Sequence, residues 1–158
     1  MQNAYFPIIF DLGVKEPNAR QDEPTALACL TEQDWQLLAE KSTLVRYDKN
    51  ETILKKGELP EAIYIIEKGH VRIERAPGNT IARRGPGAVF GEISFLESKG
   101  ASASVVADGT AEVSVIDKAH VEELLASMPD FAIRFYKTLA FTLAFRLRQA
   151  AERLVELS

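Results

Sequence analysis

Glycines, carboxylates and hydroxyl groups are concentrated between Gly87 and Ser104. Gly87 and Gly91 bracket a short apolar turn, and Glu92 directly follows the second glycine. Glycine has no side chain to hold an anion away, and the first N–H groups of a helix have no partner inside it. Ser94 stands where a short helix should begin, and it could meet a phosphate or serve as a simple N-cap. We call residues 87–104 the cassette and predict that it binds a phosphate.

The cassette resembles that of a known family. Residues 91–96, Gly-Glu-Ile-Ser-Phe-Leu, and the later Ala-Ser-Ala-Ser-Val-Val run are similar to the phosphate-binding cassette of the cyclic-nucleotide-binding domain. That domain is the sensor of catabolite activator proteins, protein kinase A regulatory subunits and cyclic-nucleotide-gated channels. The apolar run at 63–66, the glycine turn at 68–73 and Gly85-Pro86-Gly87 also match, so the resemblance extends from roughly Leu30 to the C-terminus. It implies a mainly β fold with helices, namely a jelly-roll β-barrel with an N-terminal helix and C-terminal helices, and cyclic AMP or another cyclic nucleotide as ligand.

The resemblance also implies roles for single cassette residues. Glu92 stands where the family's glutamate accepts a hydrogen bond from the ribose 2′-hydroxyl, although the same carboxylate could instead cap local amides in an empty cassette. Ser102 is favoured as a phosphate contact, and Ser104 as an ordinary strand residue. The tentative ligand-binding residues are Gly91, Glu92, Ile93, Ser94, Lys99, Ala101 and Ser102.

Two departures from the family pattern predict weak binding of cyclic AMP. Ala101 replaces the family arginine that grips the cyclic phosphate. Each charge-assisted hydrogen bond is worth about 1.5–3 kcal/mol, so losing a two-bond clamp should weaken binding by about a hundredfold or more. Lys99 could supply a substitute charge, although a solvated surface lysine is the more common case. On the last helix, Arg146-Leu147 stands where catabolite activators offer Thr-Ser to the adenine, and Thr138 and Thr142 lie about two turns and one turn earlier.

Length and composition indicate one soluble domain without catalytic residues. The chain has 158 residues, a net charge of -4 and one cysteine, Cys29, which cannot form an internal disulfide. No stretch approaches the ~20 apolar residues of a membrane helix, and the first ten residues do not form a signal segment, so we expect a cytoplasmic protein that does not bind membranes. His70 and His120 have no neighbouring nucleophile or metal-ligand spacing. We therefore predict no enzyme activity, no metal site and no cofactor.

The charge distribution argues against specific binding of nucleic acid. An acidic chain lacks the basic surface that nucleic acid normally requires. The sequence ends at Ser158, where activator relatives would begin their helix-turn-helix. Arg134, Arg146, Arg148 and Arg153 cluster on the last helix, so we expect at most weak, salt-sensitive association with DNA.

Local signals predict an N-terminal arm, a helix and then a series of strands. Residues 1–25 contain three prolines and no sustained periodicity, which indicates an extended arm. Thr31 should cap a helix over Glu32–Lys41, with Trp35 and Leu38 facing inward. Between residues 43 and 117, short β-rich runs are cut by glycines at intervals of about a dozen residues or fewer, as in an antiparallel sandwich or barrel.

Two helices should complete the chain. Asp117 should cap a helix over Lys118–Met128, which ends at Pro129 because proline disfavours helical geometry in the residue before it. The domain over residues 26–128 is thus followed by a long helix over 129–158. Its apolar residues recur three and four apart, which predicts a parallel homodimer, while the alternative is a helix that folds back on its own barrel. The predicted interface residues are Ile133, Tyr136, Ala140, Leu143, Leu147, Ala150, Leu154 and Leu157.

These observations favour a non-enzymatic regulatory module. We expect it to bind cyclic AMP weakly, or another ligand, and to act on an unidentified partner protein. The alternative is a ligand-independent dimerisation scaffold in which the cassette is only a loop. The two hypotheses differ in whether Glu92 faces a pocket that stays open.

Overall fold

A computed structural model of the protein describes residues 29–157. The arm predicted over residues 1–25 lies outside the described residues, as do Ser158 and the side chains of Ile93 and Leu157. The elements in chain order are α1 Glu32–Ala39, β1 Ser42–Tyr47, β2 Thr52–Leu54, β3 Ala62–Lys68, β4 Val71–Ala76, β5 Asn79–Arg84, β6 Val89–Phe90, α2 Glu92–Glu97, β7 Ser104–Ala107, β8 Ala111–Asp117, α3 Lys118–Ser127 and α4 Pro129–Leu157.

The eight strands form two antiparallel sheets of four strands each. One sheet has the order β1-β8-β3-β6 and the other the order β2-β7-β4-β5. Strands distant in sequence thus become neighbours, which is the arrangement of a jelly roll. The turn between β3 and β4 requires Gly69, whose φ is +81° and where an added Cβ would lie 2.3 Å from the carbonyl oxygen of Thr110. The predicted jelly-roll fold is confirmed.

Strand β3 separates two hydrophobic cores because its apolar run fills both faces of the sheet. Tyr64 and Ile66 lie between the two sheets. Ile63 and Ile65 point the other way and pack against the helices. Successive side chains of a strand alternate between faces, so one continuous apolar run supplies both cores.

The same strand carries a buried carboxylate on the face turned towards the helices. Glu67 is buried, and its Oε1 accepts a hydrogen bond of 2.6 Å from the Ser114 hydroxyl. Burial raises the pKa of Glu67 to about 7, against the lowering effect of the Ser114 bond and with a smaller contribution from Glu112. This carboxyl therefore changes charge close to neutral pH.

The helix boundaries follow the capping signals in the sequence. Thr31 and Asp34 form a capping box at the start of α1, and the Asp117 side chain accepts from the Ala119 amide at 2.9 Å to start α3. Trp35 and Leu38 are buried, as predicted. The helices end slightly earlier than predicted: α1 stops at Ala39 and α3 at Ser127.

The first half of α4 is fixed to the sheet by aromatic packing and to α1 by an ion pair. Phe131, Phe135 and Leu139 are buried in the core between sheet and helices. Arg134 donates to the two carboxylate oxygens of Asp34 at 2.6 and 2.9 Å. Burial alone would raise the pKa of Asp34, but the hydrogen bonds from Arg134 and Thr31 outweigh it and lower that pKa. In residues 29–157, no helix has both the length and the apolar character that crossing a bilayer requires.

Candidate ligand-binding pocket

A pocket opens between the cassette, strands β4 and β5, and the second half of α4. It holds about 280 Å³, close to the lower end of the range for small-molecule sites, and so suits one small ligand. Its lining residues are Leu54, Ile73, Ile81, Ala82, Arg84, Phe90, Gly91, Glu92, Ser94, Ala101, Ser102, Ala103, Val105, Arg146, Gln149, Ala150 and Arg153.

The cassette takes its shape from two close backbone approaches. Gly91 has φ +85°, and a Cβ there would lie 3.1 Å from both the Ala62 carbonyl oxygen and the Tyr64 ring. At the other end, a Cβ on Gly100 would lie 2.5 Å from the carbonyl oxygen of Gly57. Only glycine allows such contacts without a backbone shift. The glycines therefore serve the packing of the cassette against the barrel.

Residue 101 is held by backbone pairing with the turn that follows β2. The Ala101 amide donates to the carbonyl of Glu58 at 2.8 Å, and the Gly57 amide donates to the carbonyl of Ala101 at 2.8 Å. The Ala101 side chain is buried and lines the pocket. A longer side chain at this position would therefore extend into the pocket.

Glu92 is the most deeply buried polar group of the pocket, with 1% of its surface exposed. Its Oε1 accepts a hydrogen bond from Nη1 of Arg146 on α4. The same guanidinium donates through Nη2 to the carbonyl oxygen of Val89 at 2.6 Å. A carboxylate that stays ionised when buried needs such a charged partner because its desolvation is costly. Arg146 thus joins the second half of α4 to the cassette.

One face of α4 forms a wall of the pocket. Arg146, Gln149, Ala150 and Arg153 lie three, four and seven residues apart, a spacing that puts them on a single side of a helix. The sequence analysis used this half of the helix for the predicted dimer interface and assigned none of its residues to the ligand pocket. The structure adds this second, mostly polar face.

The pocket is cationic. Its described lining residues include three arginines, Arg84, Arg146 and Arg153, and one acidic residue, Glu92. Apolar side chains supply most of the remaining wall, and the charges interact more strongly beside them than in open water. The arrangement suits an anionic ligand with an apolar or aromatic portion.

The structure brings most of the predicted ligand-binding residues together. Gly91, Glu92, Ser94, Ala101 and Ser102 all line the pocket. The side chain of Ile93 lies outside the described residues.

Four other residues weighed in the sequence analysis lie away from the pocket lining. Lys99 is exposed and lies 3.7 Å from a carboxylate oxygen of Glu97, so the substitute phosphate contact considered for it finds no support. Thr138 and Thr142 are buried, and their hydroxyls donate to carbonyls one turn earlier on α4. Ser104 begins β7 as expected, and its Oγ accepts from the Lys56 amide at 3.0 Å.

The lining residues that the sequence analysis did not assign to a ligand site include Arg84, Gln149, Ala150 and Arg153. Arg146 was considered there as the loss of a base contact and as part of a basic cluster, whereas it is the residue that pairs with Glu92. The spacing of the α4 residues was a usable signal, because arginines and a glutamine at helical spacing can form a binding face as well as a solvated one.

The predicted dimer interface is largely exposed on the single chain. Ile133, Leu147 and Leu154 are 66%, 71% and 69% exposed, and Tyr136 and Ala140 are exposed as well. Leu143 is half-buried, Ala150 belongs to the pocket wall, and the side chain of Leu157 is not described. We call Ile133, Tyr136, Ala140, Leu147 and Leu154 the α4 seam.

Comparison with known proteins gives a family match over the barrel. The sequence profile of the family described as cyclic nucleotide-binding domain matches residues 44–128. This range includes the complete strands β2 to β8 and the whole cassette. The match therefore covers more than half of the chain.

Individual relatives and a solved structure agree with the profile. The cyclic AMP receptor protein of Thermus thermophilus is 34% identical over 108 residues, which is 66% of this chain and 48% of that protein. Cyclic GMP-binding protein C of Dictyostelium discoideum is 28% identical over 123 residues, which is 75% of this chain and 5% of that protein. The chain thus spans less than half the length of either relative. A crystal structure of a cyclic nucleotide-binding domain from Methylobacillus flagellatus matches with a TM-score of 0.73 at 25% identity, over 82% of this chain and 75% of that chain.

Proposed function

The chain belongs to the cyclic nucleotide-binding domain family, and we propose that it is a regulatory module whose pocket binds a cyclic nucleotide and whose long helix passes the signal to another protein. The observation that carries this proposal is the pocket itself, where cassette residues Glu92, Ser94 and Ser102 face one cavity with a wall of α4. A ligand there would touch the barrel and the helix at once. Occupancy would then change how α4 is held.

Ala101 supports weak binding of cyclic AMP. The methyl group of this residue brings no donor to the pocket, whereas arginine-bearing members place a guanidinium there. Because a bidentate clamp contributes two charge-assisted hydrogen bonds, we expect affinity to be about a hundredfold or more below that of those members. The named relatives bind different nucleotides by their names, cyclic AMP in one and cyclic GMP in the other.

Isothermal titration with cyclic AMP, cyclic GMP and cyclic dinucleotides tests the proposal. We expect at least one cyclic mononucleotide to bind, and cyclic AMP to bind with a dissociation constant in the micromolar range or higher. Ala101→Arg should tighten cyclic AMP binding because the side chain at 101 already lines the pocket. Submicromolar cyclic AMP binding by the wild type would refute the weak-binding claim, and no response to any cyclic nucleotide would refute the sensor function.

A second candidate function is a ligand-independent dimerisation scaffold. It is favoured by one observation: the Glu92 carboxylate is already bonded to Arg146, so the cassette has a charged partner from the chain itself. Under this hypothesis the pocket would bind no nucleotide, and titration would show no heat with any of them. The chain would still form dimers.

Dimerisation through the α4 seam forms part of the proposal. Leu147 and Leu154 stand in solvent on the single chain, and burying a large aliphatic side chain contributes about 1.5–3 kcal/mol. Seam positions 133, 140, 147 and 154 are seven residues apart, the repeat that keeps two helices in contact. Two parallel α4 helices would bury the seam while leaving the adjacent face, which carries Arg146 and Arg153, on the pocket of each chain.

Light scattering tests the dimer. We expect the wild type to be dimeric at tens of micromolar and Leu147→Glu to be monomeric, because a charge in the seam would have to be desolvated. Leu44→Glu is the matched control, since Leu44 is also exposed but lies on strand β1. A monomeric wild type, or a Leu147→Glu variant that stays dimeric, would refute this part of the proposal.

A further inference from the structure

The carboxylate that lines the pocket is covered by another side chain of the protein. Glu92 is 1% exposed, and its Oε1 accepts a hydrogen bond from Nη1 of Arg146. Nη2 of the same guanidinium donates to the Val89 carbonyl oxygen at 2.6 Å, which fixes the group over the carboxylate. A group of a ligand that binds Glu92 must therefore first displace this guanidinium.

The group of a cyclic nucleotide that suits Glu92 is its free hydroxyl. An ionised carboxylate only accepts hydrogen bonds, so it attracts a donor and repels a phosphate. In a 3′,5′-cyclic nucleotide both the 3′ and the 5′ oxygens are esterified, and the sugar keeps a single hydroxyl at the 2′ position. That hydroxyl is on the carbon next to the phosphate ring, so a phosphate bound near Ser102 brings it to the cassette side of the pocket, where Glu92 lies.

We propose that Arg146 competes with the 2′-hydroxyl of the ligand for Glu92 and thereby makes the pocket indifferent to whether the sugar is ribose or 2′-deoxyribose. This inference rests on the proposed function, because it requires that a cyclic nucleotide binds. A carboxylate can accept several hydrogen bonds, so its capacity is not the limit. Access is the limit, since Glu92 reaches the pocket only when the guanidinium moves aside. A charge-assisted bond from Arg146 is at least as strong as a bond from a neutral hydroxyl, so the ligand gains no affinity from the exchange.

The experiment compares each cyclic nucleotide with its own 2′-deoxy analogue. Competition binding gives the ratio of the two dissociation constants, 2′-deoxy over ribo, for cyclic AMP and for cyclic GMP. We expect a ratio of about one for the wild type. In Arg146→Ala the ratio should rise to about ten or more, because a hydrogen bond to a charged group contributes about that factor once the hydroxyl can form it.

This ratio separates competition from a structural effect. A looser α4, or the loss of a pocket charge, changes the affinity for both members of a pair alike, whereas only the ribo member has the hydroxyl. The chain offers two matched controls on the same helix. Arg153→Ala removes a charge from the pocket lining about 10 Å along the helix from Arg146, and Arg148→Ala removes one from an exposed position outside that lining. Both controls should keep the ratio near one.

A double variant identifies Glu92 as the acceptor of the hydroxyl. Glu92→Ala combined with Arg146→Ala removes the carboxylate together with its partner, so no unpaired charge is left buried. The ratio should return to about one, because the acceptor is absent.

The outcomes separate this inference from the proposed function. A wild-type ratio of ten or more overturns the inference alone, and this measurement needs no variant. A ratio in Arg146→Ala that stays at the wild-type value, or one that stays high in the double variant, also overturns it, because the hydroxyl would then not meet Glu92. Failure of every cyclic nucleotide to bind the wild type at millimolar concentration refutes the sensor function, and the inference with it.

Discussion

Replacing Arg146 with glutamine should loosen the second half of α4 and destabilise the protein. The guanidinium bonds the Glu92 carboxylate, which is 1% exposed, and the Val89 carbonyl. Removing one partner of a buried ion pair costs about 3–5 kcal/mol. Because water in the pocket can reach the place that the guanidinium leaves, we expect the free energy of unfolding to fall by about 3 kcal/mol. In a protein of this size that lowers Tm by roughly 6–12 °C.

Two measurements check this effect. Thermal unfolding followed by circular dichroism gives the change in Tm, and hydrogen exchange read by mass spectrometry gives the protection of residues 146–156. We expect faster exchange in that segment, because the pair joins it to the cassette, and little change around Phe131 and Phe135, which are fixed in the core. Arg148→Gln is the control, since it removes an equal charge from an exposed position.

A double substitution isolates the buried charge as the cause. Glu92→Gln combined with Arg146→Gln leaves no carboxylate in the cassette, so the double variant should be more stable than Arg146→Gln alone. The reasoning fails if Arg146→Gln unfolds within about 1 kcal/mol of the wild type with unchanged exchange in α4. It also fails if removing the carboxylate gives no recovery, because the loss would then come from packing.

Three further outcomes follow from the described contacts. Burial raises the pKa of Glu67 in the folded state to about 7, above its ordinary 4.5, so the folded state binds the proton more tightly than the unfolded state. The free energy of unfolding should therefore fall by roughly 1 kcal/mol per pH unit as pH rises between those two values. Glu67→Gln should flatten this pH dependence in denaturant titrations. Gly100→Ala should cost about 1–3 kcal/mol in the same titrations and weaken nucleotide binding, because the added methyl would lie 2.5 Å from the Gly57 carbonyl; unchanged stability would contradict that contact. Arg134→Gln should lower Tm by a few degrees at neutral pH because it removes the partner of the Asp34 carboxylate. The difference in Tm from the wild type should shrink as pH falls through the lowered pKa of Asp34, since the protonated carboxyl no longer pairs with a cation. A difference that persists in acid would show that packing is responsible.

Much of the fold is readable from the sequence because its signals are local. Thr31 and Asp117 cap helices with their own side chains, and Pro129 ends the helix before it through a steric effect on the preceding residue. The glycine-rich cassette is recognisable for the same reason, since its backbone needs glycine at positions 91 and 100 whatever surrounds it. Such requirements involve a few neighbouring residues, so the residue types are enough to reveal them.

Which residues of α4 and β5 line the pocket cannot be predicted from the sequence, because it depends on how these elements pack against each other. A helix sequence gives the angular relation between Arg146, Arg153 and the α4 seam, but not which of its faces meets the barrel. That choice is made by the packing of Phe131 and Phe135 at the other end of α4, about 15 residues away from the arginine-bearing turn. The sequence does not show whether a charged side chain is solvated or pairs with a buried carboxylate. The pairing of Arg146 with Glu92, 54 residues apart, is therefore visible only in the structure, where the helix packs against the barrel.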